Sequence, residues 1–93
     1  MKEIDLKELQ SDIDNFEDRE KFLFESMQIE REFISNLVNV RKSKGITQKE
    51  LAKRTGLTQQ VISNIEKMDR KPTLPNLIKY LLGLNLNINR IFK

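Results

Sequence analysis

The sequence predicts a mainly α-helical fold with a short strand at its C-terminal end. Between residues 16 and 37 apolar residues recur at threes, fours and sevens, the spacing of one helix face. Threonines and glycines stand where helices would start and stop. From Leu84 the period drops to two, with Leu84, Leu86 and Ile88 alternating with Asn85, Asn87 and Asn89, as on a strand.

The elements follow in order. Asp5 with Glu8 forms a weak capping pattern before Leu6, Leu9 and Ile13. Phe16, Leu23, Met27, Ile34 and Leu37 continue the stripe, with a loosening expected near 12–15. A second helix would then run into a helix at about 31–44, closed by Gly45. Thr47 with Glu50 makes a capping box, each side chain satisfying an orphan N–H, and opens a helix at 47–55 that Gly56 ends. Thr58 caps a helix at 58–67, and Thr73 followed by Pro75 opens another at 74–82 before Gly83. Over 84–92 a short helix is the alternative, but strict alternation favours a strand. A lone strand has unpaired edges, and pairing with the same strand of a second copy would close a two-fold dimer through Leu84, Leu86 and Ile88.

Composition narrows the function. The chain has no Cys, His or Trp, which excludes disulfide scaffolds, thiol nucleophiles, zinc fingers and histidine acid–base chemistry. No cofactor or metal is implied. Acidic pairs such as Asp12 with Asp14, or Glu30 with Glu32, lack a ligand cluster or phosphate loop beside them and read as helix solvation, so an enzyme is not expected. No apolar run spans a membrane and no signal peptide opens the chain, so a cytoplasmic protein is expected. Net charge is +3, but it is unevenly placed. Residues 1–32 hold eleven acids and five bases, and residues 33–93 three acids and twelve bases. An acidic arm (1–30) therefore precedes a basic module (31–93), and a basic module suggests a polyanion partner.

The stretch TQKELAKRTGLTQQVISNIEK, residues 47–67, carries the function. Two helices meet at Gly56-Leu57, with Leu51, Ala52, Ile62 and Ile65 turned inward and Ala52 small where the helices approach. That is a helix-turn-helix pattern. The outward face of its second helix presents Thr58, Gln59, Gln60, Ser63, Asn64 and Lys67. Gln and Asn can donate to and accept from the adenine edge. A single such residue is ordinarily solvated surface; six on one face of this motif favour DNA. Lys49, Lys53, Arg54, Lys67, Arg70 and Lys71 are candidate phosphate contacts, and Gln48 stands in a first helical turn, where an N–H and a side chain can meet a phosphate.

Over residues 34–82 the sequence resembles the Xre, phage-repressor-like helix-turn-helix family. The resemblance implies a lambda-repressor-like domain in which 58–67 enters the major groove, with Gln48, Gln59, Gln60 and Asn64 the usual DNA contacts and Arg41 paired with Glu66 as a structural ion pair. Two positions depart from the family pattern. Thr55 replaces an aliphatic residue, so looser packing is expected there, and Met68 stands where many members end the recognition helix with Gly.

An acidic amphipathic arm before such a module, with an alternating tail after it, resembles HigA-type antitoxins. The resemblance implies a bacterial homodimer, nucleoid-associated at an inverted-repeat operator, and a small basic RelE-superfamily ribonuclease toxin as partner. Phe16, Phe22, Leu23, Phe24 and Met27 would anchor that toxin. The alternative is a stand-alone phage-type repressor whose arm only packs or extends the dimer.

Overall fold

The computed structural model describes residues 6–86, which form four helices: α1 (Leu6–Ser43), α2 (Gln48–Thr55), α3 (Gln59–Lys67) and α4 (Leu74–Gly83). The Asp5 cap and Ile88 lie outside the described residues. Contacts divide the chain into two units, residues 1–30 and residues 31–93.

The break expected at 12–15 is absent, because α1 is helical throughout those positions. Ser, Asp and Asn each cost only a few tenths of a kcal/mol in a helix interior, about 0.7 at most. No Gly or Pro accompanies them, and Gln10 Nε2 donates to Asp14 Oδ1 across one turn at 3.0 Å. In the first unit the side chains of Phe16, Phe22, Leu23, Phe24, Met27 and Ile29 are all exposed.

The second unit holds the core. Ile34 and Leu37 from α1, Ile46 from the following turn, Leu51 from α2, Ile62 and Ile65 from α3, and Tyr80, Leu81 and Leu84 from α4 and its end form one buried cluster. Helices of eight to ten residues are marginal alone, so α2, α3 and α4 rely on this cluster and on their caps. Each start is capped as the threonines predict: Thr47, Thr58 and Thr73 accept from the N–H groups of Glu50, Val61 and Asn76 at 3.0, 3.1 and 3.3 Å. The reciprocal half of the Thr47 box is not made. Glu50 pairs with Arg54 at 3.0 Å instead, one turn along the same helix.

Gly45 and Gly56 end α1 and α2 in the left-handed region, at φ 69° and 75°, as the sequence predicts. Met68 takes the same conformation, φ 58° and ψ 28°, after α3, so the helix stops where a glycine would have stopped it.

Gly83 has a different role from the one expected. It is the last residue of α4, and the left-handed turn falls on Asn85, at φ 60°. A Cβ on Gly83 would lie 2.6 Å from both Leu51 Cδ1 and Thr55 Cγ2, so its missing side chain permits the close approach of α2 to α4. Thr55 is correspondingly well packed. Its hydroxyl donates to Leu51 O at 2.8 Å and accepts from Leu57 N–H at 3.2 Å, while its methyl faces Gly83.

The alternation that predicts a strand begins inside the turn closing α4. Leu84 is fully buried, and Leu86 N–H donates back to Leu81 O at 3.1 Å, so residues 84–85 are turn rather than extended backbone. Residues 87–93 lie outside the described residues.

Replacing Gly83 with Ala is expected to cost about 1–3 kcal/mol by overpacking. The melting temperature should fall by about 4–8 °C per kcal/mol for a domain of this size. A melting temperature equal to the parent's would show that α2 and α4 can separate without cost.

Candidate nucleic-acid interface

The interface is built outward from a buried ion pair. Arg41, near the end of α1, meets Glu66, near the end of α3, in a two-point contact: Nε to Oε2 at 2.7 Å and Nη2 to Oε1 at 2.8 Å. Their side chains are only 8% and 7% exposed. Arg41 Nη1 also donates to Ile46 O at 2.8 Å. Tyr80 of α4 donates its hydroxyl to Glu66 Oε2 at 2.8 Å, and Gln48 of α2 donates Nε2 to Oε1 at 3.1 Å. One carboxylate thereby accepts four hydrogen bonds from three other helices. Among the described residues, no buried side-chain nitrogen or oxygen lacks a partner, which a buried charge requires.

The electrostatics follow from this packing. Burial alone would raise the Glu66 carboxyl, but hydrogen bonds from Arg41, Gln48 and Tyr80, with the charge of Arg41, outweigh it and hold the carboxyl below its ordinary value. Arg41 is raised, chiefly by its hydrogen bond to Glu66. Tyr80 is pushed well above the ordinary tyrosine value by burial first and by its bond to Glu66 second.

The Arg41–Glu66 pair matches what the family resemblance implies. Tyr80 and Gln48 as its further members were not foreseen. A signal for Tyr80 exists: it is the sole tyrosine, it shares an apolar stripe with Leu77, Leu81 and Leu84, and a buried phenol needs an acceptor.

With α3 tied down from behind, its front face is presented outward. Gln59, Gln60, Thr58 and Lys67 are exposed, and Ser63 and Asn64 are half-buried. Gln60 Nε2 donates to Asn64 Oδ1 at 2.9 Å. That bond leaves the Asn64 amide as a donor and the Gln60 carbonyl as an acceptor, the two functions an adenine edge pairs with. Thr58 spends its lone pair on the α3 cap and keeps its O–H.

On α2, Lys49 and Lys53 are exposed. Arg54 is committed elsewhere, to Glu50 and, at 3.3 Å, to Gly83 O. Arg70 and Lys71 are exposed in the loop after α3. Of the proposed dimer residues, Leu84 is buried in its own chain's core, Leu86 is half-buried and Ile88 is outside the described residues.

Two short helices joined through a left-handed glycine, the second held by a buried ion pair and offering amide side chains outward, define a helix-turn-helix domain. Residues 37–91 match the helix-turn-helix family HTH_3, and the chain belongs to that family, whose members bind DNA. It is 36% identical over 53 residues to an uncharacterized HTH-type transcriptional regulator, y4dJ, of Sinorhizobium fredii, a match covering 57% of this chain and 69% of that protein. Among the described residues no helix is long and apolar enough to cross a membrane.

The Glu66 cluster predicts the pH dependence of stability. A carboxyl lowered in the folded state stabilises above its unfolded value, and the contribution is lost as pH falls through the folded value. A tyrosine raised in the folded state stabilises below its unfolded value, and that contribution is lost as pH rises through the folded one. Urea titrations across pH should therefore show Glu66→Gln flattening the acid limb and Tyr80→Phe the alkaline limb. At neutral pH Tyr80→Phe should cost about 1–3 kcal/mol, the worth of a bond to a charged group. Unchanged limbs would contradict the cluster.

Proposed function

We propose that the protein is a transcriptional repressor that is also the antitoxin of a RelE-superfamily ribonuclease, with residues 31–93 holding operator DNA and residues 1–30 holding the toxin. The observation that carries the second half is the exposure of Phe16, Phe22, Leu23, Phe24, Met27 and Ile29, at 39–76%. Large apolar groups clustered at a surface mark binding sites. Here they sit in the acidic part of the chain, which favours a basic partner and opposes pairing with a second acidic arm. Phe22 and Leu23 stand beside Asn15, Asp18 and Arg19 on this surface, apolar groups with both charge signs next to them.

For DNA, α3 lies in the major groove. Gln59, Gln60 and Asn64 read base edges, Ser63 and Thr58 support them, and Gln48, Lys49 and Lys67 meet phosphates. A homodimer places two copies of α3 on an inverted repeat. Support for a dimer surface comes from α4, whose outer side exposes Leu74, Ile78 and Leu82 one turn apart; its sole charge is Lys79, so little repulsion opposes self-association. The Sinorhizobium relative is named as a transcriptional regulator, and a stand-alone repressor is the second reading.

One crossed experiment tests both halves in the full chain. Gln59→Ala with Gln60→Ala should weaken binding to DNA from upstream of the chain's own coding sequence by about 1–3 kcal/mol per lost paired contact, with little change on random DNA. The same variant should still co-purify with the small basic protein encoded beside it and still suppress its RNA cleavage. Phe22→Asp with Leu23→Asp should do the reverse. Equal weakening on both DNAs would make the glutamines non-specific contacts. Toxin binding untouched by the aspartates, or no basic neighbour at all, would leave the stand-alone repressor.

A further inference from the structure

We infer that Glu66 is a positioning residue for DNA contact, acting through Gln48: the carboxylate that pairs with Arg41 also aims the first side chain of α2. This rests on the reading of Gln48 as a phosphate contact.

Gln48 directly follows the Thr47 cap of α2. A glutamine there would ordinarily sample several rotamers and lose that freedom only on meeting its ligand. In this chain it is half-buried and its Nε2 is held by Glu66 Oε1 at 3.1 Å. The contact also selects which end of the amide faces inward. A carboxylate oxygen only accepts hydrogen bonds, so the nitrogen must face it and the carbonyl must turn away. One amide hydrogen is spent on Glu66. The other remains, in a fixed position, to donate to an anion. Ordering that would otherwise oppose DNA binding is completed when the domain folds.

Glu66 can hold Gln48 because it cannot move itself. Each of its oxygens takes two bonds, Oε1 from Arg41 and Gln48 and Oε2 from Arg41 and Tyr80. Rotating the carboxylate would break all four together. Its charge would normally be a poor neighbour for a phosphate, since like charges repel strongly where water is excluded. The two-point contact with Arg41 removes that objection, leaving a pair of no net charge behind an uncharged donor. Arg41 does not reach the phosphate in its own right: it is 7% exposed and its remaining nitrogen is on Ile46 O. Arg41, like the fully buried Tyr80, therefore does not itself reach DNA.

The test is a double-mutant cycle on DNA affinity with the full chain, using a fluorescent duplex from upstream of its own coding sequence. Glu66→Asp keeps a negative charge near Arg41 but withdraws the carboxylate by one methylene from its donors, Gln48 among them. Measured where circular dichroism shows each variant folded, Gln48→Ala and Glu66→Asp should each weaken binding by about fivefold, and the double variant should lose clearly less than the product of the two. The same factor from Glu66→Asp in both backgrounds would make Glu66 merely structural and overturn the inference, as would an unchanged affinity for Glu66→Asp alone. Gln48→Ala without effect would instead remove the phosphate reading of Gln48, and the inference with it. A second measurement needs no variant. In the free protein the Gln48 side-chain amide should be nearly as rigid as the backbone, with an order parameter near ~0.85, and a value below about 0.6 would show that nothing holds it.

Discussion

The carboxylate of Glu66 is the constraint on which the rest of the domain turns. It is a charge on a side chain only 7% exposed, tolerable only if every lone pair facing the protein is met. Arg41, Gln48 and Tyr80 meet them, and they come from α1, α2 and α4. The requirement to satisfy one buried anion thus fixes three helices around the fourth. Removing one member of the Arg41–Glu66 ion pair and leaving the other charge buried costs about 3–5 kcal/mol, a large part of a small domain's total stability of about 5–15 kcal/mol.

What this constraint positions is α3. A nine-residue helix has little stability of its own, yet a reading helix must hold its side chains in register with base edges. Ile62 and Ile65 bury its inner side, Thr58 caps its start, Met68 closes its end, and Glu66 ties it to Arg41. The outer side carries no structural duty apart from the bond between Gln60 and Asn64. On the proposed reading, packing and recognition are separated onto two faces. The same separation recurs along the chain, where residues 14–30 expose their large apolar side chains and residues 31–86 contain the buried core.

Much of this was legible in the residues. Three threonines and two glycines mark the starts of α2, α3 and α4 and the ends of α1 and α2 to within a residue or two, because capping is local chemistry, and the inward positions of Leu51, Ile62 and Ile65 follow from helical period. What failed did so for physical reasons. The break at 12–15 overrated propensity, which is too weak to interrupt a helix without Gly or Pro. Gly83 was read as a turn-former, yet the clash that requires it involves Leu51 and Thr55, about thirty positions earlier. Glu50 satisfied the spacing of a capping box, but Arg54 one turn on is a better partner than a backbone N–H. The strand expected from Leu84 onward is a different case: only its start is described, where Leu84 and Asn85 form a turn, and the rest lies outside the described residues. The Glu66 cluster joins positions 14, 18 and 25 residues apart, distances at which pattern is silent, and only the family resemblance reached its central pair.

The central claim is that DNA recognition belongs to the front of the domain that the Glu66 cluster holds in place, and not to the acidic arm. Backbone hydrogen exchange on the full chain, with and without DNA from upstream of its coding sequence, tests it most directly. The account predicts slowed exchange concentrated at the start of α2 and through α3, residues 48–50 and 59–67, with residues 14–30 exchanging as in the free protein. Protection of residues 14–30 by DNA, with α3 unchanged, would contradict it.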